Sequence, residues 1–328
     1  MKISVIIPVY NSEKYIFETL ISIKNQTRQP DEVIISDDGS SDRTKSIVQE
    51  FANNGVPPVY YYKNEKKGIT NNYLNALSKS KGDIIIVGDH DDVWTTQRVF
   101  IIEQLFEKNE KSVLVSADSY LVDHLLMPLG KTIRGGAKKS SLLSRKINQG
   151  NYFMMFLRGG LPLLAHTLAF RATINDRLLQ RPKHISSWYF EDWVACVASC
   201  YGRISFIPDS LVLYRQHNGQ TTKSKQPQQH ISRLDIYINR LDKMEYLLDL
   251  LEAQMSCKNA DDELAYKYKL LVQYIEFLKF RINVGQLPFN ECFANLLKLF
   301  ICGRYRQFSS GIFSFGLDAI RLIKTIGK

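Results

Sequence analysis

The stretch that begins at residue 83 reads Asp83-Ile-Ile-Ile-Val-Gly-Asp-His-Asp-Asp92. Its run of aliphatic residues is typical of a strand buried on both faces of a parallel sheet. Three carboxylates therefore follow the carboxyl end of a strand, where an open α/β sheet binds its ligand. Asp89 and Asp91 would repel each other, and a divalent cation, Mg²⁺ or Mn²⁺, facing both would remove that repulsion. The stretch predicts an α/β fold that binds a metal-bridged diphosphate.

This strand is the fourth of a series that alternates with helices. Ile3 to Pro8, Glu32 to Ser36 and Val59 to Tyr62 are predicted strands, and segments of helical periodicity separate them. The order β-α-β-α-β-α-β predicts a mostly parallel central sheet flanked by helices, as in half of a doubly wound fold. A further helix is predicted from Thr96 to Lys108, followed by a strand from Val113 to Ser116.

The C-terminal part has a different composition. A polar linker from Gln220 to Gln229 places a domain boundary near residue 222, so we expect one domain over residues 1–221 and a helical region over 222–328. Residues 130–160 mix glycines with basic residues, which predicts a long basic loop. From Phe289 onward, basic residues alternate with Phe, Leu and Ile, a pattern that fits either a membrane-surface helix or a helical cap.

The charge and the cysteine content of the chain limit which partners and which cellular compartment we expect. The 328 residues carry 43 Lys and Arg against 33 Asp and Glu, a net charge of +10 that suits anionic partners. Because the basic residues are scattered between a loop and the tail, we expect no nucleic-acid binding. Five cysteines and a start without an apolar signal segment predict a cytoplasmic protein with reduced thiols. Cys196 and Cys200 have the spacing of one helix face, which favours core packing over zinc.

Two other predicted strands also end in polar residues. The first ends in Pro8-Val-Tyr-Asn11 and the second in Ser36-Asp-Asp-Gly-Ser-Ser-Asp42. These ends lie at the same sheet edge as Asp89, and a carboxylate after the second strand suits a ribose hydroxyl or a base N–H. Helix capping is the alternative role for Asp37 and Asp38. The glycine-rich fingerprints of dinucleotide-binding enzymes and of P-loop kinases do not occur, which argues against both classes.

Three motifs together resemble family 2 glycosyltransferases: Val5-Ile-Ile-Pro-Val-Tyr-Asn11, Asp37-Asp-Gly-Ser-Ser-Asp42 and Asp89-His-Asp-Asp-Val-Trp94. The resemblance covers about residues 1 to 219 as one domain. It implies the GT-A fold, a nucleotide-diphospho-sugar donor, a divalent metal and inversion at the anomeric carbon. The third motif, with Tyr214-Arg-Gln-His217, is most similar to bacterial rhamnosyltransferase-type members, although His90 stands where that subgroup more often has Gln.

The resemblance implies roles for individual residues. Asp38 would contact the nucleotide, Asp89 the ribose or the metal shell, and Asp91 the metal. His217 falls where some members place a further metal ligand, with an ordinary surface histidine as the alternative. Glu191 and Asp192 occupy the place of the pair that carries the catalytic base, with Asp192 as the base; charge at a helix N terminus is the alternative.

Other positions are implied less directly. The resemblance assigns eight further residues to the nucleotide side: Pro8, Tyr10, Asn11, Asp37, Asn64, Gly68, Asn72 and Glu191. Turn, capping or packing roles are the alternatives. The segment from Ala165 to Arg171, which includes His166, is similar to a family segment beneath the donor sugar, and packing is an equal alternative for both His166 and Arg171.

The resemblance implies an inverting, metal-dependent transferase in bacterial surface polysaccharide synthesis. A sugar would move from a UDP- or dTDP-linked donor to a hydroxyl of a glycan or lipid-linked acceptor, at the inner face of the cell membrane and with peripheral membrane contact. A nucleotidyltransferase is one alternative, in which Glu191, Asp192 and His217 would have no evident role. A nucleotide-binding subunit in which Asp192 is idle is the other.

Overall fold

The structure is a computed structural model that describes residues 1–53, 55–148, 152–158, 163–182, 188–220, 232–256, 262–284, 286 and 288–326. The chain divides into two compact units. The first comprises Met1–Tyr152 and Pro162–Ser224, and the second comprises Phe153–Leu161 and Lys225–Lys328. The predicted boundary near residue 222 and the polar linker beyond Gln220 fall within residues 221–231, outside the described residues, and the division into 1–221 and 222–328 stays a prediction.

The first unit is built on one mixed sheet. Its nine described strands are β1 Ile3–Val9, β2 Glu32–Asp37, β3 Val59–Lys63, β4 Ile84–Val87, β5 Val93–Trp94, β6 Ser112–Val122, β7 Pro128–Thr132, β8 Leu168–Arg171 and β9 Arg203–Arg215. The order is β3-β2-β1-β4-β8-β6-β9-β5, and β7 pairs with β6. The predicted strands are confirmed, and β3, β2, β1 and β4 are parallel as expected.

The second half of the sheet departs from the parallel pattern. Strand β8 runs antiparallel to both β4 and β6, whereas β6 and β9 pair in parallel. Strand β5, only two residues long, pairs antiparallel with the end of β9, so that Val93 lies opposite Leu213. This pairing brings the segment after β4 beside the segment after β9. Two stretches more than 120 residues apart in the sequence thus meet at one edge.

Helices cover the sheet and form most of the second unit. Those that begin in the first unit are α1 Ile16–Lys24, α2 Thr44–Ala52, α3 Ile69–Lys79, α4 Arg98–Lys108, α5 Ala137–Lys146, α6 Tyr152–Leu157, α7 Asn175–Leu179 and α8 Phe190–Tyr201. Those of the second unit are α9 Arg233–Met255, α10 Asp262–Asn283, α11 Phe289–Ile301, α12 Arg304–Phe308 and α13 Ile312–Ile326. None of the described helices is both long and apolar enough to cross a membrane.

The core of the first unit follows from the sequence pattern. Every residue of β1 and β4 is buried, as their aliphatic runs predict. Helix α1 contributes Ile16, Leu20 and Ile23 to the same core, since residues three and four apart share one helix face. Burial of this apolar surface is the main favourable term in holding the sheet and its helices together.

The long loop predicted over residues 130–160 is wrong. That stretch contains β7, α5 and α6. Gly135 and Gly136, both at positive φ, end the preceding turn, and α5 then buries Ser140 and Ser144. The Ser140 hydroxyl donates to the Pro208 carbonyl at 2.9 Å. The helix escaped prediction because its buried face carries small polar residues rather than the apolar stripe that marks most surface helices.

The second unit begins its longest helix with a capping box. Ser232 and Asp235 exchange hydrogen bonds between side chain and backbone at the start of α9. Further along, Asp318 of α13 accepts hydrogen bonds from Arg281 of α10 at 2.6 and 3.0 Å and from the Tyr305 hydroxyl of α12 at 2.9 Å. This buried cluster connects three helices of the unit.

Candidate functional site

A cavity lies at the carboxyl ends of β1 and β4 in the first unit. Its described lining consists of Pro8, Ile69, Thr70, Tyr73, Asp89, His90, Asp91, Leu164, Ala165, His166, Tyr189, Phe190, Glu191, Tyr214, Gly219 and Gln220. The residues come from the ends of β1, β4 and β9 and from α3 and α8. The sheet edge that the sequence predicted to bind a ligand therefore has a cavity.

Asp89 is held from two sides in this cavity. The Tyr73 hydroxyl donates to Asp89 Oδ1, and His166 Nδ1 lies 3.6 Å from Asp89 Oδ2. Burial by itself would raise the pKa of Asp89, but hydrogen bonding and charge from His166, with the Tyr73 hydrogen bond, hold that pKa below its ordinary value. Burial and the nearby Asp89 carboxylate in turn raise the pKa of Tyr73. Asp89 is therefore an anion fixed in orientation.

Asp91 and His217 meet directly although 126 positions separate them. His217 Nε2 lies 2.8 Å from Asp91 Oδ2. The Tyr15 ring packs against the His217 imidazole with a centroid separation of 4.8 Å. The predicted surface-histidine alternative does not describe His217, whose side chain is only 13% exposed. The structure thus brings together two of the three residues predicted to bind metal.

Arg215 explains how these two segments come together. Its backbone N–H donates to Asp92 Oδ1 at 3.0 Å, and its guanidinium donates to the backbone carbonyl of Asp91 at 2.8 Å. The same guanidinium also pairs with the Glu18 carboxylate. These bonds fasten the loop after β4 to the end of β9, and His217 follows two residues later. Arg215 belongs to the motif Tyr214-Arg-Gln-His217, but the sequence predicted no role for it.

Asp92 and His166 form, with Asp89, a second cluster of carboxylate and imidazole side chains. One potential ligand atom from each of the three lies within 4.8 Å of the others. Asp92 Oδ2 is buried and has no hydrogen-bond partner among the described residues, and His166 Nδ1 lies 3.7 Å from it. Burial, followed by the charges of Asp91 and Asp89, raises the pKa of Asp92 well above its ordinary value. Sequence analysis missed Asp92 as a site residue.

Arg98 is the buried cation behind this cluster. Its guanidinium donates to the carbonyls of Val87 and His166 at 2.8 and 2.7 Å and lies over the Trp94 ring. Burial lowers the pKa of Arg98 to about 9, against the opposing effect of Asp92 and Asp89. No sequence signal distinguished Arg98 from other helix-terminal basic residues.

These residues fit a divalent cation. The carboxylate oxygens and imidazole nitrogens that such cations accept come from two described groupings. Asp89, Asp92 and His166 have one potential ligand atom each within 4.8 Å of the others, whereas Asp91 and His217, predicted to bind the cation with Asp89, contact each other at 2.8 Å. A cation in this loop would offset the repulsion between neighbouring carboxylates.

Asp38, Asn64 and Gly68 form a separate cluster after β2 and β3. Asp38 accepts from the Asn64 side-chain amide at 2.7 Å and from the Gly68 N–H at 2.9 Å. Gly68 has a φ of 113°, a conformation that residues with a Cβ rarely adopt. The three predicted nucleotide-side residues are therefore neighbours, although they do not appear among the described residues that line the cavity.

Asp37 and Asn11 shape the loops of this edge. Asp37 Oδ1 accepts from the Gly39 and Ser40 N–H groups at 3.0 and 2.8 Å, and Tyr61 donates to its other oxygen. Helix α2 begins at Thr44, so Asp37 does not cap it. Asn11, at a φ of 47°, accepts from the Ser41 N–H at 2.9 Å. Both side chains hold loop backbone in place.

Three more predicted residues lie near the end of β1. Pro8 lines the cavity, and Tyr10 exposes 58% of its surface. Asn72 is buried; its amide donates to the Val9 carbonyl at 3.1 Å, while its own oxygen accepts no hydrogen bond within the part of the chain that the structure describes. Asn72 thus ties α3 to β1 with one polar atom left over.

The two carboxylates predicted to carry the catalytic base, Glu191 and Asp192, lie in the first turn of α8. Glu191 lines the cavity, whereas Asp192, the next residue, is absent from its described lining. Phe190 stacks on Tyr73 with a centroid separation of 4.5 Å, which fixes the start of α8 beside the partner of Asp89. Arg171 donates to the Ser112 carbonyl at 2.9 Å and packs over Phe106, so it has the packing role.

Comparisons with known proteins agree with this geometry. Residues 4–163 match the family described as "Glycosyl transferase family 2". An uncharacterized glycosyltransferase of Nostoc sp. is 26% identical over 232 residues, which cover 68% of this chain and 67% of the relative. The Campylobacter jejuni GalNAc(5)-diNAcBac-PP-undecaprenol beta-1,3-glucosyltransferase is 37% identical over 92 residues, 28% of this chain and 30% of the relative.

A solved structure supports the same fold. The crystal structure of Staphylococcus aureus TarS residues 1–349 in complex with UDP-GlcNAc superposes with a TM-score of 0.58 at 22% sequence identity, covering 84% of this chain and 72% of that one. Together with the sheet and its flanking helices, this likeness establishes the GT-A fold, to which the described structure adds a helical C-terminal region.

Proposed function

We propose that this protein, whose residues 4–163 match the glycosyl transferase family 2 model, is an inverting transferase that moves a sugar from a UDP- or dTDP-linked donor to an acceptor hydroxyl. One observation carries the proposal: Asp89, Asp91 and Glu191 face a single cavity at the carboxyl edge of the sheet. Inverting transfer needs groups for a charged leaving diphosphate and a carboxylate for the acceptor at one place.

The two clusters at the sheet edge divide the donor between them in this proposal. Asp38, held by Asn64 and Gly68, would bind the nucleoside, and Asp89, fixed by Tyr73 and His166, would face the ribose and diphosphate. A divalent cation, Mg²⁺ or Mn²⁺, held by Asp89, Asp91 and His217, would when bound neutralise the leaving diphosphate. The complex of TarS with UDP-GlcNAc supports a UDP-sugar as the first donor to try.

Asp192 is the proposed base. It would take the proton of the acceptor hydroxyl while that oxygen forms a bond to the anomeric carbon, and the bond from that carbon to the diphosphate oxygen breaks on the opposite face. Glu191, which lines the cavity, would orient the acceptor. Both carboxylates lie in the first turn of α8, where the helix dipole favours negative charge.

The acceptor is proposed to be a glycan or a lipid-linked saccharide of bacterial surface polysaccharide synthesis. The name of the Campylobacter relative includes PP-undecaprenol, a lipid diphosphate carrier, which supports a lipid-linked acceptor here. Rhamnose is the transferred sugar that the motif from Asp89 to Trp94 favours. The enzyme would work in the cytoplasm at the inner face of the membrane.

A donor panel tests the proposal. Purified full-length protein is incubated with UDP-, dTDP- and GDP-sugars and Mg²⁺ or Mn²⁺, and nucleoside diphosphate release is measured with and without EDTA. We expect release from one donor, suppressed by EDTA and reduced about 100-fold in Asp91→Ala because cation binding is impaired. Asp209→Asn, an exposed carboxylate on β9, is the matched control and should keep the wild-type rate.

The reaction product distinguishes the proposed glycosyltransferase from a nucleotidyltransferase and from a binding subunit. A nucleotidyltransferase cleaves the donor at the α-phosphate, so release of sugar 1-phosphate, with the nucleoside monophosphate free or transferred, would overturn the proposal. Nucleotide binding without any release, even when undecaprenyl-diphosphate-linked saccharides are added, would indicate the binding subunit instead. Release that EDTA and Asp91→Ala leave unchanged would contradict the role of the cation.

A further inference from the structure

Large apolar side chains are concentrated on the surface of two helices of the second unit. Among the residues whose exposure is described, helices α11 and α13 expose nine of them, each at least 36% accessible: Phe289, Phe293, Leu297, Phe300, Ile301, Ile312, Phe313, Ile320 and Ile323. Scattered single apolar residues are normal on a protein surface, whereas a contiguous apolar patch marks an interaction site. We call these nine residues the α11/α13 apolar face.

The exposed residues follow the helix period. On α11 they recur four apart, at 289, 293, 297 and 301, which places them on one stripe. Neighbouring positions on the same helices face the interior: Cys292 and Leu296 of α11 and Leu322 of α13 are buried. Phe300 and Phe315 touch across the two helices with centroids 4.4 Å apart. Each helix therefore has a buried inner side and an apolar outer side.

The charges around this face are mainly positive. Lys298 and Arg306 are exposed, and Glu291 is the one exposed acidic residue among the described residues of α11, α12 and α13. The other acid, Asp318, is buried and neutralised by Arg281. A surface that combines bulky apolar residues with exposed cations is complementary to the anionic headgroups and acyl chains of a lipid leaflet.

We propose that the α11/α13 apolar face lies on an anionic lipid bilayer. The helices have 13 and 15 residues and are about 20 to 22 Å long, shorter than the roughly 30 Å hydrocarbon core, so they would lie along the interface. A second copy of the chain is a poorer occupant, because it offers Glu291 as the one exposed acid among the described residues of α11, α12 and α13 to the exposed Lys298 and Arg306.

The proposal names the surface by which the enzyme would reach a lipid-linked acceptor. Its link to the acceptor rests on the proposed function, but binding of vesicles does not require catalysis. The two hypotheses can therefore fail separately.

Vesicle flotation with the full chain tests the surface. Vesicles of phosphatidylcholine alone are compared with vesicles that contain about 30% phosphatidylglycerol. We expect binding to the anionic vesicles, and at least a tenfold loss in Phe293→Glu/Phe313→Glu, because both apolar contacts are replaced by charge. The matched control is Ile236→Glu/Ile238→Glu on α9, whose side chains are 47% and 46% exposed in the same unit. It should bind like wild type.

A variant with reversed charges separates the electrostatic contribution to vesicle binding from the apolar contribution. Lys298→Glu/Arg306→Glu should weaken binding to anionic vesicles by at least about fivefold per residue, and added salt should shrink the difference. Equal binding to neutral and anionic vesicles would contradict the electrostatic part. Thermal unfolding and donor hydrolysis in solution check that every variant is folded.

Three results would overturn the proposal. One is absence of binding to either vesicle. Another is equal loss in the α9 control, which would mean that the face is not specific. The third is a dimer in analytical ultracentrifugation that Phe293→Glu/Phe313→Glu dissociates while wild-type protein ignores vesicles, which would assign the face to a second copy. Vesicle binding as expected in a protein without donor hydrolysis would leave this proposal standing and reject the proposed function.

Discussion

The two units each bury a cluster of charged side chains, but the clusters differ in completeness. In the second unit, Asp318 receives hydrogen bonds from Arg281 and Tyr305, and both carboxylate oxygens are satisfied. In the first unit, Asp89, Asp91 and Asp92 crowd one loop, and Asp92 Oδ2 accepts no hydrogen bond from any described residue. A closed cluster connects helices, whereas an open one in a cavity is suited to a ligand that completes it.

The two units also differ in how much apolar side chain they expose on their surfaces. The first unit keeps its aliphatic residues inside a sheet core, whereas the second exposes the α11/α13 apolar face. Leaving a buried carboxylate oxygen unpaired and leaving large apolar residues in water both cost free energy. Each departure supports one of the proposals above: a cation and donor in the first unit, and a lipid surface for the second.

The largest expected effect comes from removing the proposed base. Asp192→Asn should retain donor affinity and lower the transfer rate about 10²- to 10⁴-fold, because the amide cannot accept the hydroxyl proton. Single-turnover transfer and donor titration measure the two quantities. Asp176→Asn, in the first turn of α7, is the control with a similar helix position and should not change the rate.

Glu191→Gln sharpens that result. Since Glu191 rather than Asp192 lines the cavity, a larger rate loss in Glu191→Gln than in Asp192→Asn would transfer the role of base to Glu191. Wild-type rates in both variants would remove the helix start from the chemistry.

Breaking the closed cluster should affect stability rather than chemistry. Asp318→Asn leaves Arg281 buried without its counter-charge, so the free energy of unfolding of the protein should fall by about 3–5 kcal/mol. Chemical denaturation measures this change, and donor hydrolysis below the unfolding transition should persist. Glu291→Gln, an exposed acid of α11, should change the free energy by less than about 0.5 kcal/mol. A small effect in Asp318→Asn would show that the pair is not the anchor of these helices.

The nucleotide cluster should give an intermediate effect. Asp38→Asn weakens the hydrogen bonds to Asn64 and Gly68 and removes a charged acceptor, so the donor dissociation constant should rise about 5- to 100-fold. Isothermal titration calorimetry with the donor found by the panel measures it. Unchanged affinity would mean that the nucleoside binds elsewhere along the edge.

The smallest effect is expected for the residue that orients Asp89. Tyr73→Phe keeps the stacking on Phe190 but removes the hydroxyl that donates to Asp89, so donor hydrolysis should fall about tenfold. The exposed Tyr60→Phe is the control and should hydrolyse donor at the wild-type rate. A loss of structure in Tyr73→Phe, seen by thermal unfolding, would assign Tyr73 to packing instead.

Local pattern predicted most of the first unit's elements and failed where the pattern is weak. The strand after Asp83 and the helix with Ile16, Leu20 and Ile23 have strong apolar periodicity and were located from sequence. Helix α5 has a buried face of serines and was missed. The antiparallel insertion of β8 was not predictable, because strand order depends on pairings between distant segments.

The sequence by itself determined that carboxylates follow buried strands, and so that a polar site lies at the carboxyl edge of an α/β sheet. Which of these carboxylates meet was decided by the tertiary structure. The pairing of β5 with β9 and the Arg215 bonds bring His217 to Asp91, and burial beside Asp89 and Asp91 raises the pKa of Asp92. Such effects depend on distance and burial, which side chains far apart in the chain acquire only when the chain is folded.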